Sequence, residues 1–268
     1  MKVISGLLKA SHFGPTMAVT LISMLLATNL WWEAPAIVIA VGVFLGQLLV
    51  GWSNDLNDYH DDLKHKRINK PLVSGLITPR ILMIAIKITL PLAIVFNLFG
   101  PLGLKGGALY LFGVGMGVAY NFYFKSTFLS PLPYALAFAA LVCSLVIATD
   151  RMPPIWLIIC GGLFGVAAHF ANVLKDLDQD LTSGIKGLPQ RLGKVKSRFI
   201  CGFLLIALTL ILNNANPNQL LLIIGLFGAL LTSISSNKVI FKALMITAIV
   251  DVILLLQAAG EQIGSITV

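Results

Sequence analysis

Nine apolar runs of roughly bilayer-spanning length divide this chain and leave it few ways to fold. They cover residues 13–32, 34–53, 79–99, 104–123, 131–149, 154–174, 198–213, 218–235 and 239–259. About 20 apolar residues cross the hydrocarbon core as one helix, because lipid offers no partner to an open backbone amide or carbonyl. The expected fold class is an all-α membrane protein, a nine-transmembrane-helix bundle in a single domain over residues 1–268. Composition agrees: 57% of the residues are hydrophobic, 11% are charged and the mean hydropathy is +0.92. A soluble domain carries about a quarter charged residues. Pro79, Pro131 and Pro154 stand where helices should begin, a place that tolerates a missing amide hydrogen. The first 30 residues lack the cleavage pattern of a removed leader.

The net charge of +8 does not point to nucleic acid, because the positive residues sit in short loops between apolar runs. Sixteen of the 19 Lys and Arg fall on one side of a nine-span layout. Lys105 and Arg151 fall on the other, and Lys87 lies inside the third run. The positive-inside rule then puts the N-terminus and residues 54–78 and 175–197 at the cytoplasm, in a bacterial cell membrane or its equivalent. Cys143, Cys160 and Cys201 all lie in apolar runs without metal-ligand spacing and read as packing residues.

Seven of the 11 acidic residues are concentrated in two stretches, each closing an apolar run. In the first, Asp55, Asp58 and Asp62 stand at i, i+3 and i+7, one face of a helix. Carboxylates so close repel unless a cation sits among them, and hard Mg²⁺ suits an oxygen-rich face. In the second, Asn172, Asp176 and Asp180 repeat the pattern at i, i+4 and i+8. Asn54, Asp58 and Asp62 each precede their counterparts Asn172, Asp176 and Asp180 by 118 residues. Two such faces suggest cations bridging a polyanion, most simply a diphosphate. One face alone would also suit a capped, solvated helix end; its echo argues against that.

Asn54-Asp55-x-x-Asp58-x-x-x-Asp62 resembles the first motif of the UbiA superfamily of intramembrane prenyltransferases, and Asp176-x-x-x-Asp180 resembles its second. So do Lys70-Pro71-Leu72-Val73-Ser74-Gly75, Ala119-Tyr120-Asn121 with Lys125, and the run Gly184–Gly193. Many members carry Arg at the position of Lys70, which keeps the charge but loses the two-pronged donor. The resemblance covers nearly the whole chain. It implies transfer of a polyprenyl group from its diphosphate to an aromatic or other small acceptor, through Mg²⁺-assisted ionisation. It implies catalytic roles for Asp58, Asp62, Asp176 and Asp180, with Asp55 joining them as a metal ligand. Asn54, Arg67, Lys70, Tyr120, Asn121, Lys125, Asn172 and Lys186 become candidates for substrate binding. Arg67, Lys125 and Lys186 match basic positions of the family, and the Tyr120 ring suits an allylic cation.

His169 shares the helical face of Asn172 and reads either as a substrate contact or as a hydrogen-bonded interior residue. Asp251 and Lys87 lie within runs, where a charge is expensive; they are expected to pair with each other or to serve function. The alternative function is a transporter or cation exchanger using both acidic faces. Such proteins place acids near the midplane, often in inverted repeats; here the acids cluster at run ends on one side. An alcohol phosphatidyltransferase would need a D-G-x-x-A-R opening, which is absent. The acceptor is open, although Asp55 disfavours the haem branch of the family.

Overall fold

The computed structural model describes residues 2–30, 33–234 and 237–262, with the side chains of 234–242 and 262 outside the description. Among the described residues there is no strand. The helices are α1 (Lys2–Ala10), α2 (Phe13–Thr28), α3 (Glu33–Lys64), α4 (Pro79–Leu98) and α5 (Gly103–Ala119), which a π-helical turn continues over Tyr120–Phe124. Then come α6 (Pro131–Ile147), α7 (Ile155–Thr182), α8 (Leu188–Ala215), α9 (Gln219–Ile234) and α10 (Asn237–Gln262). Each apolar run corresponds to one helix, α2 to α10, and α1 is additional. Trp31, Trp32 and Ser235 of the predicted runs, and the side chains of Lys238 and Lys242, lie outside the described residues.

Five helices are long and apolar enough to cross a membrane: α3, α4, α7, α8 and Ala243–Glu261 of α10. The pair α1–α2, bent by 70°, makes a sixth if it is counted as one span. Helices α6 and α9 are apolar but shorter, with 17 and 16 residues.

The helices outrun the hydropathy that predicted them. α3 continues to Lys64, α7 to Thr182, and α8 begins at Leu188. Apolar composition marks where hydrocarbon ends, whereas backbone hydrogen bonding continues into the polar boundary at no extra cost. α8 is broken within its polar turn by Gly193, whose φ of 77° a side chain resists. Ser197 Oγ donates to the Pro189 carbonyl at 2.9 Å across that break.

Consecutive helices pack as neighbours from α2 to α10, and α2 closes the bundle against α6 and α10. Between helices in lipid, apolar contact gives little net drive, so close approach and interior hydrogen bonds carry more of the specificity. α3 is held this way. Asn97 Nδ2 on α4 donates to the Gly42 carbonyl at 3.1 Å and the Ala93 carbonyl at 2.7 Å. Tyr110 on α5 donates to the Val43 carbonyl at 2.8 Å, and Gly46 leaves the room it needs.

The pairing expected of Asp251 and Lys87 does not form. Asp251 is buried against α8, with Thr209 Oγ1 2.6 Å from Oδ1, whereas Lys87 lies exposed on the outer face of α4. No ion pair joins them among the described residues. The two runs that carry them are not adjacent in the bundle, which linear spacing cannot reveal.

Gly46→Ala should lower thermal stability in detergent by about 1–3 kcal/mol, the scale of overpacking, because its Cβ meets the Tyr110 hydroxyl. Adding Tyr110→Phe should cost less than the sum of the single changes; strict additivity would show that the close approach is not the cause.

Candidate active site

The ends of α3 and α7 meet at one end of the bundle. The loops beyond them are tied by Arg67, whose Nη2 donates to Ser183 Oγ at 2.5 Å across 116 residues of sequence. Both acidic stretches are helical, as their spacing required, and each is the polar end of a long apolar helix.

The first stretch is neutralised by cationic side chains. Arg67 Nη1 donates to Asp62 Oδ1 at 2.5 Å, and its Nη2 lies 3.4 Å from Asp61. Lys125 Nζ donates to Asp58 Oδ2 at 2.6 Å, and Asn54 Nδ2 donates to the same oxygen at 3.3 Å. Lys70 Nζ donates to Asp55 Oδ1 at 2.6 Å and lies 3.9 Å from Asp62. Asp55, only 2% exposed, is held by Lys70 and His12, which ties the loop after α3 and the turn after α1 to the first acidic stretch.

The second stretch is more open. Asp180 is half-buried and accepts from Gln190 Nε2 at 2.9 Å, with Lys125 and Arg67 within electrostatic reach. Asp176 is exposed and makes no ion pair among the described residues. Asn172 is exposed, with the Tyr134 side chain within its electrostatic reach. Lys186 is not gathered with the acids. It is exposed in the α7–α8 loop, and Arg191 Nε holds its carbonyl at 2.6 Å. Its candidacy as a phosphate contact therefore has no support from position.

The π turn after α5 delivers the bridging lysine. Its hallmark is the Lys125 amide bonded to the Tyr120 carbonyl, five residues back, at 2.9 Å. Asn121 fixes that turn to α3. Its Nδ2 donates to the Val50 carbonyl at 3.0 Å and to Ser53 Oγ at 2.9 Å, and its carbonyl accepts from Asn57 Nδ2 at 2.9 Å. The Asn121 amide thus fastens the turn to α3.

Beneath the acids lies an aromatic cluster. Tyr120 is buried, with Asp58 and Asp180 both within electrostatic reach. Its ring stands edge-on to Tyr134 at 5.0 Å and to His169 at 5.5 Å. His169 is fully buried and its Nε2 lies 3.0 Å from Ser130 Oγ, which accepts from the Leu188 amide at 2.9 Å. That knot joins the starts of α6 and α8 to α7.

Sequence reasoning missed His12, Tyr134, Ser183 and Gln190. His12 holds a left-handed backbone (φ 52°, ψ 56°) between α1 and α2. Its Nε2 lies 3.4 Å from both Asp55 Oδ1 and Asn54 Nδ2, donating to one or accepting from the other by tautomer. A histidine 42 residues upstream carries no local signal of that contact. Gln190 was legible only as part of the Gly184–Gly193 resemblance.

The donor set fits Mg²⁺. It consists of hard oxygens from Asp58, Asp62, Asp176 and Asp180 with the amides of Asn54 and Asn172, and its carboxylates already gather cationic side chains. Among the described residues no three His, Cys, Asp or Glu side chains converge on one point. Mg²⁺ commonly takes one or two carboxylates and completes its shell with water and phosphate oxygens.

Fold and site thus define a membrane-embedded helical protein with paired acidic helix ends over an aromatic floor. The sequence matches the UbiA prenyltransferase family over residues 16–248, and the chain belongs to that family. Solved structures share its fold. Digeranylgeranylglyceryl phosphate synthase is 18% identical with a TM-score of 0.68, covering 97% of this chain and 99% of that one. A UbiA homologue from Archaeoglobus fulgidus, bound to GPP and Mg²⁺, is 16% identical with a TM-score of 0.68, covering 97% and 100%. An apo UbiA homologue from Aeropyrum pernix K1 is 14% identical with a TM-score of 0.68, covering 95% and 96%. Among curated proteins, no sequence relative matches this chain.

Arg67→Met should destabilise the protein by about 1–3 kcal/mol, the cost of leaving a buried polar group without its hydrogen-bond partner, because Asp62 is 2% exposed and keeps only Lys70, 3.9 Å away. Asp62→Asn in the same chain should recover part of that loss in thermal unfolding. No recovery would mean that the pair is not what holds the loop.

Proposed function

We propose that this chain is an integral-membrane prenyltransferase that moves a polyprenyl group from its diphosphate to an aromatic or other small acceptor. The observation that carries the reading is Lys125, which donates to Asp58 at 2.6 Å and has Asp180 within electrostatic reach, at the end of the turn that begins at the buried Tyr120. The similar Archaeoglobus fulgidus homologues are bound to GPP or DMAPP together with Mg²⁺, which supports the same donor class here.

In the reaction the bond from the allylic carbon to the diphosphate oxygen breaks, and its electron pair leaves with the oxygen. Asp58, Asp62, Asp176 and Asp180 would hold Mg²⁺, which would supply positive charge to the departing diphosphate. Lys125, Arg67 and Lys70 are the cationic groups placed to exchange carboxylate partners for diphosphate oxygens. Asn54 and Asn172 offer amide groups at equivalent positions of the two motifs. The Tyr120 ring, backed by Tyr134 and His169, presents π density to the allylic cation. The acceptor attacks that cation and loses a proton.

The same reading takes α2 to α10 as nine crossings with the acidic ends at the cytoplasm, which the basic residues on that side support. A transporter would carry its acids near the midplane; the one interior acid, Asp251, is engaged by Thr209.

Transfer of a radiolabelled prenyl group should require Mg²⁺ or Mn²⁺ and stop on chelation. Asp58→Ala and Asp180→Ala should each reduce turnover by about 100-fold or more, the scale of losing a preorganised charge-stabilising group. An aspartate that merely caps a helix would cost about 1 kcal/mol of stability and spare activity. Near-normal turnover in either variant would refute the assignment.

A shared diphosphate also predicts that Asp58→Asn and Asp176→Asn act non-additively on rate, since one loss already removes most of the common stabilisation. Additive effects would place the two faces at separate sites. For topology, a cysteine introduced at position 186 should react only from the cytoplasmic side of intact cells; labelling from outside would overturn the orientation.

A further inference from the structure

α1 has no part in the chemistry proposed above, yet it is seated beside it. Trp52 Nε1 on α3 donates to the Leu7 carbonyl at 2.9 Å, and Gly6 packs against Ile77. One residue beyond the helix, His12 reaches Asn54 and Asp55. α1 therefore lies at the same end of the bundle as the acidic faces. It is bent by 70° from α2, so if α2 runs across the bilayer, α1 runs close to its plane.

At 3.6 residues per turn, α1 divides into three sectors. Gly6 and Ala10 form the side buried against the protein. Ile4 and Leu8, with Val3 and Phe13 flanking, form an exposed apolar side; Ile4 is 65% exposed. Lys2, Ser5 and Lys9 form the third side, exposed and polar. A helix at a protein–water boundary needs only two sectors. A third, apolar and turned away from the protein, suits a helix lying in the membrane interface, with its lysines at headgroup level. Between the apolar and basic sectors runs a groove of about 410 Å³ lined by Ile4, Ser5, Leu8, Lys9 and Phe13.

We propose that α1 is an interfacial helix whose groove seats an anionic phospholipid, an acyl chain along Ile4, Leu8 and Phe13 and the phosphate against Lys9 with Lys2 nearby. The charge match selects the lipid: the basic side chains border apolar surface, and acyl chain plus phosphate is the chemistry that satisfies both. Docking would also brace the turn that presents His12 to the first acidic stretch.

The test uses the full chain in vesicles and needs no transfer activity, so it stands or falls apart from the proposed reaction. The three native cysteines are buried, so a fluorophore on Ile4→Cys labels one position. Acyl-nitroxide phosphatidylglycerol should quench it more than acyl-nitroxide phosphatidylcholine at equal mole fraction. The expected local excess is about fivefold, from roughly one lysine's attraction to an anionic surface. Lys2→Glu with Lys9→Glu should abolish the excess, and aqueous iodide should reach a label on Ser5→Cys far better than the one at position 4. Equal quenching by the two lipids, an excess that survives charge reversal, or equal iodide access would each overturn the proposal. Loss of the excess on adding a short prenyl diphosphate would assign the groove to substrate and overturn it as well.

Discussion

Carboxylates at the polar ends of two apolar helices must be offset by positive charge, and the architecture of one end of this molecule follows from that requirement. Asp55, Asp58 and Asp62 cannot share a helix face without compensation. Lys70, Lys125 and Arg67 supply it from two segments: two positions in the loop after α3 and one at the end of the π turn after α5. Each pair draws a loop against a helix end. The ion pairs thus fold the loops over the site as well as setting its charge. Arg67, by adding Ser183, extends the same bracing to the loop after α7.

That compensation also has a chemical use. A buried salt bridge contributes little to stability once desolvation is counted, but removing one partner is costly. A site whose carboxylates already hold ammonium and guanidinium groups is poised to exchange partners when a polyanion arrives, since cation and anion then enter together. The aromatic cluster of Tyr120, Tyr134 and His169 beneath it is held by ring contacts and the His169–Ser130 hydrogen bond, none of which involves the carboxylates, so the floor can stay fixed while the charged layer rearranges.

The π turn shows how a local irregularity serves both layers. An unbroken α-helix through Phe124 would rotate Tyr120 and Lys125 onto different sides. With the wider turn, locked by Asn121 to Val50 and Ser53, the phenol is buried beneath the acids while the lysine reaches Asp58. Asn121 belongs to the same motif as Tyr120 in sequence, yet its work is mechanical.

The sequence by itself determined the helical class and the two acidic faces, because each is a local property. Run length sets whether a segment can satisfy its backbone in lipid, and 3.6-residue periodicity sets which carboxylates share a face. It also marked Arg67, Lys70, Lys125 and Lys186 as the basic residues to watch, favouring Arg67, Lys125 and Lys186. Only the tertiary structure decided who meets whom. Asp55 turns to Lys70 and His12, Lys186 stays outside, Asp251 takes Thr209 in place of Lys87, and α1 lies bent beside the site. These depend on which helices pack side by side and on how far each helix runs past the apolar boundary. Neither is written in the spacing of residues along one segment, because both are settled by contacts between segments distant in sequence.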